Sequence, residues 1–402
     1  MTTTDAALRQ TGALPRNAGI DALRGFSILM VVMHHIALRI PLKKTALAEF
    51  VPQRLLNAIN FNGYESVFVF FVISGFLIAS HTMARWGRLA DIDARAFYIR
   101  RAARIVPCLL LLIAVLSALH LAGADQYVID KPGQTLPGAI LSALGLYLNR
   151  YEGLTGWLPG GWDVLWSLSI EEVFYLGFPI VCLLIRSERM LLGVLCLLAL
   201  SLPVTHAALE GNEIWQEKAY LPGMAAIATG VIVALAARHF APTLVNAKAL
   251  CLLGVCGLAT VFVFGDVLWG AIRNSYMLVL TLSAACLVLG LHWRQARRID
   301  KPTRGLGWLR ALGRLSYEIY LTHMFVVFAV VALFKQSGSD MRNGYLWYLP
   351  AVLTCWLLGV VVARAFSEPA DHAVRRRWLK PAAAVNNFAP LEASAADTQQ
   401  TP

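Results

Sequence analysis

Residues 23–36 read LRGFSILMVVMHHI, an apolar run with Arg24 near its start and His34 and His35 side by side near its end. Similar runs recur as far as residue 366. The chain has 402 residues, of which 58% are hydrophobic and only 15% charged, and its mean hydropathy is +0.60. Soluble domains lie near half apolar and about a quarter charged, whereas stretches of about 17–25 apolar residues cross bilayers. The fold class is therefore all-α, a polytopic membrane protein of about ten transmembrane helices. Spans are expected near 20–40, 62–80, 104–122, 164–186, 190–207, 220–237, 249–265, 275–292, 315–335 and 345–366.

Charge sets the expected topology. Lysine and arginine concentrate in loops on the cytoplasmic side of membrane proteins. Residues 81–104 carry six arginines, residues 293–314 carry six arginines and a lysine, and Arg375, Arg376, Arg377 and Lys380 follow the last span. Ten spans place all three stretches and both termini in the cytoplasm, and leave the acidic link 208–219 outside. The net charge of +11 then records topology and not a nucleic-acid partner. The polar start, MTTTDAALRQTGALPRNAG, lacks the apolar core of a secretory signal peptide. Residues 137–150 (LPGAILSALGLYLN) are apolar but too short to span, and counting them as a crossing would put the richest arginine cluster outside. They read as a short re-entrant or interfacial helix leading into EGLTGWLPGGW. The organisation is a cytoplasmic N-terminal tail (1–18), a transmembrane domain (19–370) and a C-terminal tail (371–402) that is basic and then disordered. All seven cysteines lie within spans with no metal-type CxxC pair, and read as small free core residues.

Polar and ionisable groups inside a bilayer are costly, so each is a functional candidate. His35 lies roughly 16 Å along its helix from Arg24, which puts the arginine at the cytoplasmic mouth and the imidazole deep in the membrane. His34 and His35 point about 100° apart around the axis, so they face different surroundings. In FYIRRAARIVP (97–107), Arg101 and Arg104 share a helix face and suit phosphate, although the spacing alone equally describes a cytoplasmic anchor. In WSLSIEEVFYL (166–176), one of the adjacent Glu171 and Glu172 is placed to take a proton or to hold a histidine in its working tautomer. In LSYEIYLTHMF (315–325), Glu318 reads as a helix-start carboxylate, and Tyr320 and His323 are neighbours on one face.

There is no P-loop, nucleophile elbow, HExxH or metal-like His/Cys cluster, and no metal, heme or flavin is expected. A buried base, a phosphate-binding mouth and a carboxylate fit group transfer from a phosphate-bearing cytoplasmic donor to an acceptor at the membrane. A proton-coupled transporter exporting an acylated or acidic solute would use the same ingredients, but no inverted repeat or paired interrupted helices are visible.

These strings resemble the membrane-bound acyltransferase family 3, O-acyltransferases of cell-surface polysaccharides and related acceptors. The matches run in order: IDALRGFSILMVVMHHI, with its Arg-x10-His spacing; VFVFFVISGFLI (67–78); FYIRRAARIVP; WSLSIEEVFYLGFP (166–179); LGRLSYEIYLTH (312–323); and AFSEPADH (365–372). The resemblance implies a multi-pass enzyme of the bacterial cytoplasmic membrane. It would move an acyl group, commonly acetyl, from cytoplasmic acyl-CoA to a hydroxyl of a carbohydrate or lipid-linked glycan. It implies His35 as the catalytic histidine and Glu171 as the glutamate of the Trp-Ser-Leu-x-x-Glu string; His34 and Glu172 stay catalytic candidates from the residues alone. Arg24, Arg101 and Arg104 would hold the CoA phosphates, and Trp166, Tyr320 and His323 the substrate. Two features depart from the pattern. Many members carry an acidic residue where this chain has Phe68, with Glu65 one turn earlier. The 402 residues also leave no length for the SGNH domain fused to some members.

Overall fold

The computed structural model describes residues 16–240, 243–296 and 305–379. Among them every regular element is helical. Ten long helices follow in order: α1 (Ala18–Ala37), α2 (Gly63–Trp86), α3 (Ala94–Leu121), α4 (Leu165–Leu184), α5 (Glu188–Leu200, carried on by Leu202–Ala207), α6 (Tyr220–His239), α7 (Leu244–Ile272), α8 (Tyr276–Ala296), α9 (Ser316–Gln336) and α10 (Tyr348–Val362).

By length and composition, nine segments among the described residues can cross a membrane, one of them the 53-residue stretch Leu244–Ala296. That stretch is two antiparallel helices, α7 and α8. Arg273, at φ +49, breaks the path between them. Gly254 then packs against Leu287 and Gly290 against Cys251 and Ala247. The outward faces are hydrocarbon: Leu110 and Leu111 on α3, Ile180 on α4, Leu252 and Leu253 on α7, and Leu353 and Leu357 on α10 are all exposed.

Local chemistry sets the helix starts. Asn17 accepts from the amides of Gly19 and Ile20 at the head of α1, and Asp93 accepts from Ala96 at the head of α3, each an N-cap. The Asp93 cap starts α3 ten residues before the expected 104, so the basic string FYIRRAAR is helical and not a loop. The segment expected as one helix near 137–150 is two, Leu136–Leu144 and Leu148–Thr155, with Leu146 at φ +60 between them. Neither is long enough to cross a bilayer. Beyond α10 a π-helical turn, Ala363–Ser367, leads into Glu368–Trp378, so the basic start of the C-terminal tail is helical. Residues 1–15 and 380–402, which hold most of both expected tails, lie outside the described residues. Among the described residues no disulfide joins any of the seven cysteines, and Cys256 is exposed on the outer face of α7 and is not a core residue.

Glycine lets two pairs of helices touch backbone to backbone, the usual device where lipid supplies no hydrophobic drive between helices. A Cβ on Gly75 of α2 would lie 1.9 Å from the Ile227 carbonyl oxygen, and one on Gly230 of α6 would lie 2.0 Å from that of Val72. Gly25 of α1 and Gly313 of the short helix Gly307–Arg314 meet in the same way. Because the obstacle is backbone and not a flexible side chain, Gly75→Val should cost about 3 kcal/mol or more, read as a large fall in the unfolding temperature of the detergent-solubilised protein.

Candidate active site

Arginines from several elements converge on one cavity of about 470 Å³, lined by Arg16, Arg24, Arg101, Arg104, Arg314 and Arg375. The ends of the described chain therefore meet at this mouth. Arg24 donates to Ser316 Oγ at 2.8 Å. Arg101 lies over the Tyr175 ring, 4.4 Å from its centroid, and makes no ion pair among the described residues. Arg104 is engaged differently. It meets Glu318 Oε1 at 2.8 Å, and Ser367, presented by the π-turn, donates to the same oxygen at 2.8 Å. Glu318 is thus the buried counter-ion of Arg104, more than a helix-start carboxylate. Glu171 lines the cavity, whereas Glu172 does not. The Tyr175 and Ser74 hydroxyls are hydrogen-bonded to each other, and Ser74, Tyr175 and Glu171 all line the cavity.

Tyr320 and Ser167 stand at the inner end of this cavity. Ser167 donates to the Tyr320 hydroxyl at 2.7 Å, and that hydroxyl donates to the Val164 carbonyl at 2.8 Å. Behind them three imidazoles make a row. Ring centroids lie 5.8 Å apart for Tyr320 and His323, 5.0 Å for His323 and His35, and 5.3 Å for His35 and His34. The row ends on Phe61, 6.5 Å from His34. His323 is fully buried.

Backbone carbonyls hold the outer two rings. His34 Nδ1 is 3.1 Å from the Asn60 oxygen and His323 Nδ1 is 2.7 Å from the Tyr320 oxygen. A carbonyl can only accept, so each Nδ1 carries a proton and, in the neutral ring, Nε2 is left as the base. His323 Nε2 is buried without a partner. The orienting part expected of a carboxylate is therefore played by main chain, because no contact joins Glu171 or Glu172 to an imidazole among the described residues. Trp166 packs in the interior against Tyr64 and Phe71 and does not line the arginine cavity. Phe68 is buried in the core at 1% exposure, and Glu65 faces a second cavity at the other end of α2.

Sequence reasoning missed one buried cluster. Lys218 is wholly buried; it bonds Glu152 at 2.7 Å and also bonds Asp163. Its ammonium lies 4.0 Å over the Trp157 ring. Glu152 and Asp163 bracket the GLTGWLPGGW link, whose density of glycine and tryptophan was the available signal.

Residues 17–365 match the family described as an acyltransferase domain. The chain belongs to this acyltransferase family. It is 22% identical over 377 residues to the O-acetyltransferase OatA of Staphylococcus aureus, covering 90% of this chain and 58% of that protein. It is 25% identical over 374 residues to the putative peptidoglycan O-acetyltransferase YrhL of Bacillus subtilis, covering 84% and 52%. With the peptidoglycan O-acetyltransferase OatA of Listeria monocytogenes it shares 23% over 350 residues, covering 83% and 49%. The chain spans about half the length of the curated relatives it matches. No solved structure matches it.

In this member of the family the arrangement can neutralise a polyanion at one end and offer unprotonated imidazole nitrogens in the interior. The two matched arginines have separable duties. Glu318→Gln strips a buried partner from Arg104 and should cost about 3 kcal/mol. Arg101→Ala, which loses only an aromatic contact, should stay within about 1 kcal/mol of the parent. Thermal unfolding of both variants in one detergent checks the contrast.

Proposed function

We propose that the chain is an O-acyltransferase of the bacterial cytoplasmic membrane. It moves an acyl group, acetyl in the first instance, from acyl-CoA to a hydroxyl of a cell-envelope carbohydrate. The observation that carries this reading is the contiguous row from Tyr320 through His323 and His35 to His34, which begins at an arginine-lined cavity. Family membership supports the reaction class, and the names of the relatives support a peptidoglycan-like acceptor and an acetyl group.

The positive-inside bias supports a cytoplasmic position for the arginine cavity, the side where acyl-CoA is made. Arg24 and Arg101 supply donors for its phosphates, with Arg104 held in place by Glu318. The thioester passes Ser167 and Tyr320 and reaches along the row toward His35. His35 Nε2 takes the proton of the acceptor hydroxyl as that oxygen attacks the thioester carbonyl. The C–S bond breaks, the ester forms, and the imidazolium returns its proton to the CoA thiolate. His323 and His34, each with Nδ1 tied to a carbonyl, fix the position of His35 between them. General-base help is worth about 10²–10⁴-fold, and holding both reactants in line supplies the remainder.

His35→Ala should therefore lower transfer of radiolabelled acetyl from acetyl-CoA to envelope glycan by about 10²-fold or more, with the protein still folded and membrane-inserted. Retention of activity in His35→Ala, with loss in His34→Ala, would move the base to the neighbouring ring. Solute uptake by sealed vesicles without acyl-CoA would favour a proton-coupled exporter instead.

A further inference from the structure

A second cavity, of about 560 Å³, opens at the opposite end of the bundle. Helix α2 fixes the separation: Glu65 lines this cavity and His81 lines the arginine cavity, roughly 24 Å apart along the axis. The chemistry of the second cavity differs from that of the first. Its one lining arginine, Arg54, is committed to Asp266 at 3.1 Å, so no unpaired cation among the lining residues awaits an anion. Acceptor oxygens predominate instead. Glu65 and Tyr276 both line it, and Glu65 Oε2 is buried with no partner. Asn57 Oδ1 has none either. Both amide hydrogens of Asn62 are spent, on the carbonyls of Ala58 at 2.7 Å and Phe262 at 2.9 Å. Around these oxygens stand the rings of Phe61, Phe262, Trp269 and Tyr276.

Unpartnered buried acceptors favour a ligand rich in donors, and aromatic walls favour one with apolar C–H faces. A carbohydrate is both. The cavity also abuts the imidazole row through a single layer. Phe61 lines it and contacts His34, and the start of α2 presses so close that a Cβ on Gly63 would lie 2.6 Å from His34 Cγ.

We infer that this second cavity is the acceptor site, holding a neutral sugar between Trp269, Tyr276 and Phe61 with its hydroxyls on Glu65 and Asn57, and delivering one hydroxyl toward His34 and His35. The assignment of the sugar as acceptor rests on the acyl-transfer reading above. The donor and acceptor then occupy cavities of opposite chemistry at opposite faces of the membrane, and the histidine row is what they share.

The test is calorimetric titration of the full chain in nanodiscs with an N-acetylglucosamine tetramer and, separately, with CoA. Glu65→Gln replaces one of its two carboxyl oxygens with an amide NH2, a donor in place of an acceptor. Gly265→Trp fills the cavity from a lining position where an added Cβ meets nothing within 4 Å. Each should weaken tetramer binding tenfold or more and leave CoA binding within twofold, while Arg101→Ala does the reverse. Parent-like tetramer binding in both variants would overturn the site, as would a parent protein that binds no tetramer. Binding of the deacetylated, amine-bearing tetramer alone would overturn the neutral-sugar assignment in favour of an ammonium site. Cavity-dependent tetramer binding without any CoA binding would support the sugar site and defeat the acyl-transfer reading.

Discussion

Three imidazoles in contact, inside a bundle whose outer surface is hydrocarbon, set the condition that the other parts of the molecule meet. An imidazole facing lipid would waste its polarity, so the helices carrying His34, His35 and His323 must pack around a shared interior. Helix α1 supplies two of the rings and α9 the third. The outer two rings are held by the carbonyls of Asn60 and Tyr320 and not by charge. A carbonyl fixes a tautomer without adding a second ionised group to a low-dielectric interior, where an unpaired charge is expensive. The glycine crossings follow from the same need for closeness. They bring α2 against α6, and α1 against the helix that precedes α9, near enough for side chains distant in sequence to meet.

Charge is kept to the ends. At one end arginines gather on a cavity, and one of them, Arg104, is stiffened by a buried glutamate and a serine on a π-turn. At the other end the only wholly buried lysine among the described residues, Lys218, is matched by two carboxylates. Between the ends lie neutral donors and acceptors: Tyr320, Ser167 and the imidazoles. A reactant that is polyanionic at one end and a thioester at the other suits such a gradient. A neutral sugar suits the far cavity.

Much of this was legible in the chain. Apolar runs gave the ten helices, and the costly polar residues within them named His34, His35, Arg24 and the Glu171–Glu172 pair before any geometry was known. Contacts between distant segments were not legible. His35 meets His323 across 288 positions of sequence, and Arg104 meets Glu318 across 214, so neither local spacing nor periodicity could pair them. Glu318 looked like a helix-start carboxylate because it does lie in the first turn of α9. Lys218, inside the acidic link 208–219, was not singled out, because its partners Glu152 and Asp163 lie 66 and 55 positions away. The start of α3 was misplaced for a physical reason: arginines lower the hydropathy of a segment without ending its helix, and Asp93 caps it well before the apolar part begins.

The central claim is that the acyl group crosses the bundle along the histidine row, from the arginine cavity to the opposite face. Reconstitution in vesicles of uniform orientation tests it most directly, with labelled acetyl-CoA supplied only on the arginine side and a soluble N-acetylglucosamine oligomer present on both sides. The account predicts labelled sugar only in the compartment opposite the CoA, with CoA released where it was added. Labelled sugar confined to the compartment that holds the CoA would contradict it.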